Sequence, residues 1–397
     1  MSDPIKKITL KDGAVRYRFV VDIGREPKTG KRKQLTKTFD TKKEARAEYA
    51  RIRHQTDEGT FVSPDKITVA TWLDTWLKSA TIHVEKATAR NYADAIRPAH
   101  ERLGDKRLQL LTEEDVDDLV EWMLASGRKR GGKPGTGLSA RSVQLTLGRL
   151  RSALTVAVRR KLVVRNVAQY TEIPREARKQ ARAAKAQRKP WDAEEVKTFL
   201  AHLADHRLEA GMLLTLIGLG PAEVCGLKWD EHVDLDAKSP TIKAGENTRT
   251  LVWGENGGEV EEKGGKTENR PRKLPLPSPV AEALRRAKAR QARERLAAGE
   301  AYGNSGYVLV DELGRSCRTD WLRRRAYELM EGAGVRRVRL YDARHACLTY
   351  LRMAGVPGPI VSAWAGHGDL TIADRVYVHP DVAHPETAAK HLGALLS

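Results

Sequence analysis

The sequence predicts a multidomain α+β chain: a small three-stranded sheet plus helix, then an all-α module, then a mixed, mainly-α domain with a small antiparallel sheet. Two observations carry that expectation. The length, 397 residues, allows two to four domains. The apolar pattern alternates near the N-terminus, turns helical at Thr68, and becomes mixed beyond residue 190. The boundaries expected are 1–60, 67–170, a basic linker at 171–190, and 191–397.

The elements follow in order. Lys6–Leu10, Val15–Asp22 and Gln34–Phe39 read as three short strands, parted by Lys11-Asp12-Gly13 and by a loop across 24–33. Thr41–Glu58 reads as a helix with a capping box between Thr41 and Glu44. Residues 59–66, with Pro64, read as a linker. Thr68–Ala80, Thr88–Leu103, Thr112–Ser126 and Ser139–Val163 read as four helices. Trp72, Leu73, Trp76 and Leu77 give the first of them a core-facing stripe. A Gly/Lys/Pro-rich connector at 127–137 separates the third and fourth. The segment Pro174–Pro190 has no apolar residue larger than Ala, so it reads as a tether rather than as part of a core.

Beyond it, Asp192 caps a helix over Ala193–Leu203, with Glu194 and Glu195 in its first turn. A buried helix at Ala210–Gly218 is followed by strands at Thr241–Lys243, Thr248–Trp253 and Arg272–Leu276, with a Gly- and Glu-rich hairpin between. Helices are expected at Pro279–Ala298, Thr319–Gly332, Tyr341–Ala354, Pro359–Trp364 and Thr371–Tyr377.

Composition narrows the class. Hydrophobic residues are 40% and charged residues 31%, the balance of a globular chain rather than a disordered one. Cys225, Cys317 and Cys347 are too few and too scattered for a disulfide framework or a four-thiolate zinc site. The most apolar stretch, Met212–Leu219, is far shorter than the roughly 20 residues of a membrane span. The first residues lack an apolar segment of signal-peptide type, so a cytoplasmic protein is expected.

The formal charge is +19, and its placement is uneven. Residues 1–60 are net +7, residues 67–170 net +7 and residues 171–190 net +5, while residues 191–397 are neutral. A concentrated excess of Lys and Arg points to a polyanion, because displaced phosphate counterions supply most non-specific affinity. The candidate DNA contacts are Lys28, Lys31, Arg32 and Lys33 at the loop tip, Arg141 at the start of the fourth helix, and Arg178, Lys179 and Arg182 in the linker. An ordinary solvated loop and a plain linker are the competing readings.

Several chemistries are absent. Gly265-Lys266-Thr267 lacks the earlier Gly of a phosphate-binding loop, since Val260 stands there. No Gly-x-Ser-x-Gly elbow and no His-Glu-x-x-His helix occurs. His202 and His206 are four apart without a third ligand nearby. The C-terminal 60 residues, in contrast, concentrate groups suited to phosphate. Arg344 and His345 follow Tyr341-Asp342-Ala343, His367 follows Gly366, and Tyr377 comes ten residues later. Arg offers a rigid two-pronged donor to phosphate oxygens, His a further donor, and the Tyr hydroxyl a nucleophile once deprotonated.

This pattern resembles the tyrosine recombinases, specifically phage-type integrases of actinobacterial style. The family's His-x-x-Arg-His segment matches Tyr341-Asp342-Ala343-Arg344-His345, and its Leu-Gly-His matches Ala365-Gly366-His367. Tyr377 stands at the nucleophile's spacing. The family's Gly-Leu-Arg-x-x-Glu-x-x-x-Leu-x-Trp matches Gly218-Leu219-Gly220-Pro221-Ala222-Glu223-Val224-Cys225-Gly226-Leu227-Lys228-Trp229. Lys266 resembles the hairpin lysine, ahead of Leu274-Pro275-Leu276. Each motif alone is weak, but five in one order and spacing are specific, and the likeness covers the whole chain.

The resemblance implies an arm-type DNA-binding domain, a helical core-binding domain and a catalytic domain. It implies a recombinase in which Tyr377 forms a 3′-phosphotyrosyl bond, Lys266 protonates the leaving oxygen, and Arg344, His367 and Tyr341 hold the phosphate. Neither metal nor other cofactor is implied. Expected partners are double-stranded attachment sites, three further copies of the chain in a homotetramer, and an excisionase or host DNA-bending protein. The tail 388–396 would dock on a neighbour or on its own domain.

Two positions depart from the family. Tyr341 replaces a His or Lys and keeps one donor. Gly220 replaces the first catalytic Arg, while Glu223, Leu227 and Trp229 keep the frame. Three readings compete: a natural degenerate integrase, an engineered inactive variant, or an enzyme in which another basic residue enters the site. A catalytically silent DNA-binding protein is the alternative function, and a type IB topoisomerase the third.

Overall fold

The computed structural model describes residues 3–10, 14–25, 31–129, 132–186, 191–254, 257–264 and 271–366. The chain divides into two compact units, Met1–Gln187 and Arg188–Ser397.

The first unit opens with strands β1 (Ile5–Thr9), β2 (Val15–Arg25) and β3 (Arg32–Phe39), antiparallel in that order. Alternation sorts their side chains onto two faces. One face, with Ile5, Phe19 and Val21, packs on helix α1 (Lys42–Asp57) through Ala45 and Ile52. Phe19 stacks on Phe39 at 5.8 Å and meets Tyr49 edge-on at 5.4 Å. The register Lys6↔Arg18↔Thr38 places these three residues together on the open face. Thr41 caps α1, its side chain accepting from the Glu44 N–H at 3.2 Å.

Four helices follow: α2 (Val69–Ala80), α3 (Lys86–Leu103), α4 (Glu113–Ala125) and α5 (Ala140–Arg159). Thr68, Thr112 and Ser139 cap α2, α4 and α5, and Thr112 forms a capping box with Asp115. Trp72, Leu73, Trp76, Leu119, Met123, Leu147, Leu150 and Leu154 fill their shared core. The Trp72 indole N–H donates to the Ala153 carbonyl at 3.2 Å.

Two expectations change here. The fourth helix stops at Arg159 instead of Val163. Lys161 takes a left-handed φ of 57°, and the Leu162 N–H turns back to the Ala157 carbonyl at 2.9 Å. The segment read as a tether contains a helix, α6 (Arg175–Ala186). Ala, Arg, Lys and Gln are strong helix formers, so lack of bulk did not mean lack of order. Ala177 rests against the helical core.

The second unit contains α7 (Ala193–Leu203), α8 (Glu209–Leu216), α9 (Pro221–Gly226), α10 (Trp229–His232), β4 (Val233–Asp234), β5 (Thr241–Ala244), β6 (Thr248–Gly254), β7 (Gly257–Lys263), β8 (Arg272–Pro275), α11 (Ser278–Ala298), α12 (Thr319–Gly332), α13 (Leu340–Met353) and α14 (Gly358–Ala365). Strands β4, β5 and β8 form one antiparallel sheet, and β6 pairs with β7 in a separate hairpin. Asp192 and Glu195 make a reciprocal capping box on α7. A core built on Phe199, Leu203, Leu214, Leu219, Val224, Ile242, Leu274, Leu284 and Leu322 joins the helices to the sheet. No helix among the described residues is long and apolar enough to cross a membrane.

Candidate active site

The site begins at the turn before α9. Gly218 has a left-handed φ of 102°, which favours glycine, and delivers the chain to Gly220. Gly220 is the N-cap of α9, Pro221 opens the helix, and Glu223 reaches back to accept from the Gly220 N–H at 2.6 Å. Proline at the first position and a carboxylate at the third are what start a helix here. Gly220 itself has φ −71° and ψ 151°, a conformation open to any residue.

Glu223 is fully buried, and two guanidiniums meet on it. Arg344, from α13, donates from Nη1 to Glu223 Oε2 at 3.2 Å and to the Gly218 carbonyl at 2.9 Å, and from Nη2 to the Ala365 carbonyl. Arg272, from β8, donates from Nη1 to Glu223 Oε1 at 2.8 Å and from Nε to the Trp364 carbonyl at 2.6 Å. The Trp364 indole N–H donates to the Ile217 carbonyl at 2.8 Å. Burial alone would raise the Glu223 pKa. The hydrogen bond and charge of Arg272, the charge of Arg344 and the Gly220 N–H outweigh it, and the pKa lies below the ordinary carboxylate value. The carboxylate is therefore ionised at neutral pH.

The structure thus brings the Gly218–Glu223 turn, Arg344 and the Ala365-Gly366 end of α14 to one point. Arg344 is buried there, while Gly366 ends α14 in a left-handed turn (φ 65°, ψ 38°) beside it. Tyr341 lies three residues before Arg344 on α13, is 49% exposed, and meets the His345 ring edge-on at 5.3 Å. It opens onto a cavity of about 360 Å³ that Pro221, Arg323, Tyr327 and Arg339 also line. Lys266, His367 and Tyr377 lie outside the described residues, as do Lys28 and the tail 388–396. No cysteine is suited to nucleophilic attack: burial pushes Cys225 and Cys317 up to about 12 and Cys347 up to about 11.

Of the candidate DNA contacts, Lys31, Arg32 and Lys33 are exposed at the start of β3. Arg141 is exposed in the first turn of α5, and Arg178, Lys179 and Arg182 are exposed on α6. Sequence reasoning missed two features. One is the open face of the N-terminal sheet, where Lys6 and Arg18 pair across strands and the Arg18 Nε donates to Thr38 Oγ1 at 3.2 Å. The alternation of Val15-Arg16-Tyr17-Arg18-Phe19 was a usable signal for it. The other is Arg272, which no local pattern ties to Glu223, 49 residues away.

Comparison with known proteins agrees with this geometry. Residues 190–384 match the phage integrase family, and residues 4–56 match an arm DNA-binding domain. A "Tyrosine recombinase XerC-like" protein of Caldanaerobacter subterraneus subsp. tengcongensis is 26% identical over 93% of this chain and 94% of its own length. An integrase of Streptomyces ambofaciens is 27% identical over 91% of this chain and 89% of its own. Among solved structures, the Tn1549 transposon integrase in complex with a circular intermediate DNA has a TM-score of 0.63 at 16% identity, covering 82% of this chain and 99% of that one. A lambda integrase dimer bound to a core site has a TM-score of 0.54 at 14% identity, covering 79% of this chain and 96% of that one. Residues 190–384 thus match the phage integrase family, and along about nine-tenths of its length the chain is similar to proteins of tyrosine recombinase and integrase type.

Proposed function

We propose that this chain is a site-specific DNA recombinase of integrase type, slowed by the glycine at position 220. The observation that carries the reading is the meeting of Gly220, Glu223 and Arg344 with the end of α14, which joins three motifs far apart in sequence. In this reading the Tyr377 hydroxyl gives up its proton to water and its oxygen attacks a DNA phosphorus. The bond from phosphorus to the 5′ oxygen breaks, and Lys266 gives that oxygen its proton. Arg344, His367 and Tyr341 hold the non-bridging oxygens. A 5′-hydroxyl from the partner strand then reverses the step, so the bond energy is conserved in the phosphotyrosine.

The division of labour follows the charge. Residues 1–190 carry the whole excess of +19, so the sheet unit and helical module bind DNA while the neutral C-terminal part performs the chemistry. The division 1–60, 67–170, 171–190 and 191–397 describes arm-binding, core-binding, connecting and catalytic parts. Solved structures of similar fold include a lambda integrase tetramer bound to a Holliday junction, with a TM-score of 0.50. A homotetramer on paired attachment sites, helped by an excisionase or a DNA-bending protein in the cytoplasm, is the corresponding assembly here.

A second reading is favoured by one residue. Gly220 removes a guanidinium from the expected phosphate clamp, as in a DNA-binding protein that no longer cuts. Incubation with nicked site DNA separates the two. The recombinase reading expects a covalent protein–DNA adduct that Tyr377→Phe abolishes; DNA binding without any adduct, even after Gly220→Arg, favours the silent one.

A further inference from the structure

A buried carboxylate is costly unless cations hold it, and removing one partner of a buried pair leaves the other charge stranded. Glu223 is such a carboxylate, with a guanidinium on each oxygen. The two bonds are unequal. Arg272 lies at 2.8 Å on Oε1, whereas Arg344 lies at 3.2 Å on Oε2, an oxygen that also takes the Gly220 N–H. Arg272 leads the interactions that favour the charged form of Glu223.

Arg272 and Arg344 also share a second task. They donate to consecutive carbonyls, Trp364 and Ala365, in the last turn of α14. Positive charge at a helix C-terminus complements the exposed carbonyl dipoles. The next residue, Gly366, turns the chain out of the helix. One strand arginine therefore fixes both the carboxylate beside position 220 and the exit of α14.

Position 220 supplies this cluster with a backbone N–H and no charge. If Arg344 alone balanced Glu223, the carboxylate would cancel its charge at short range in a medium of low polarity. A second guanidinium on Glu223 prevents that.

We propose that Arg272 is a positioning residue of the recombinase site: it takes up the charge of Glu223 and anchors the end of α14, leaving the charge of Arg344 to act on a DNA phosphate. This rests on the recombinase reading for its substrate, and it assigns Arg272 no contact with the reacting atoms.

The test uses the full chain and a charge-restoring double variant. On nicked site DNA, Arg272→Met is expected to slow adduct formation about 10²-fold, the scale of a misplaced reactive group. Adding Glu223→Gln removes the carboxylate, returns the charge of Arg344 and should recover at least about tenfold of that loss, or about 1.4 kcal/mol of barrier. A merely structural bridge predicts that the double variant is no faster than Arg272→Met, and that result would overturn the proposal. A second readout does not need cleavage. Inorganic phosphate, at fixed ionic strength, should raise the melting temperature of the wild-type and double-variant chains and leave Arg272→Met unmoved. If no chain forms an adduct but the phosphate pattern appears, the recombinase reading fails and the charge role of Arg272 stands. Equal stabilisation of wild type and Arg272→Met, or none in wild type, refutes that role. Arg272→Lys keeps the charge and should keep the phosphate effect even if Arg272→Met unfolds; its loss from a folded Arg272→Lys chain would likewise refute it.

Discussion

Gly220→Arg is the most informative substitution in the chain. The backbone accepts it, since φ −71° and ψ 151° suit any residue. A Cβ at 220 would first meet Glu223 Oε2 at 3.4 Å and Cδ at 4.0 Å, ordinary van der Waals distances. The Gly220 N–H bond to Glu223 is a backbone bond and survives the change. Losing glycine's freedom in the unfolded chain stabilises by about 0.4–1 kcal/mol, and giving up a favourable N-cap residue offsets part of this. Stability should therefore move by less than about 1 kcal/mol. The rate should move far more. An arginine on the transition-state charge is worth on the order of 10³–10⁵, or about 4–7 kcal/mol of barrier. The assay is the single-turnover rate of adduct formation on nicked site DNA, with a thermal melt beside it. A rate within threefold of wild type in a folded variant would show that the reaction does not lack this charge. A loss of about 3 kcal/mol or more in the melt would refute the steric argument.

Other expectations follow from the same structure. Replacing Arg178, Lys179 and Arg182 with Gln should flatten the dependence of log K on log salt by about 0.9 for each phosphate no longer neutralised; an unchanged slope in a binding titration would mean α6 does not touch the DNA backbone. Arg18→Ala should weaken binding to arm-type DNA by about 1–3 kcal/mol if the open sheet face reads bases, as competition with unrelated duplexes would show. The hydrogen bond from Arg51, with that of Lys37 and against the cost of burial, pulls Glu48 down from 4.5 to about 2. Its contribution is thus present above pH 4.5 and lost as pH falls through about 2. Amide exchange in β2 and β3 should show Glu48→Gln weakening the sheet at pH 6, with the difference from wild type shrinking below pH 4. Trp72→Ala should cost about 3–5 kcal/mol of helical-core stability by denaturant titration, because the ring is 1% exposed and its N–H is bonded to Ala153.

Helix starts were the most legible part of this chain. Thr41 and Asp192 cap helices as the sequence indicates, and the helices read as starting at Thr68, Thr112 and Ser139 are capped by those residues, because a side-chain oxygen serving a nearby N–H is a local interaction. Helix ends were less legible. The stop after α5 depends on a lysine in a left-handed conformation, which composition does not announce. α6 was missed because a core-seeking reading discounts a helix built on propensity alone. α9 and α10 have six and four residues, too few to show a period. Within the site, Glu223 could be placed from its motif, and Arg344 from its own. Their meeting with Arg272 is a tertiary event linking a strand to two helices, and it leaves no trace in local spacing.

The recombinase reading requires a tyrosine hydroxyl of this chain to become covalently joined to DNA. Mass spectrometry on peptides from a nuclease-trimmed reaction with a nicked, phosphorothiolate-bearing site reads it directly, using wild type and Gly220→Arg side by side. One modified peptide is expected, carrying a 3′-linked nucleotide remnant on Tyr377, more abundant in Gly220→Arg. A remnant on any other residue, or none in either chain while DNA stays bound, would contradict it.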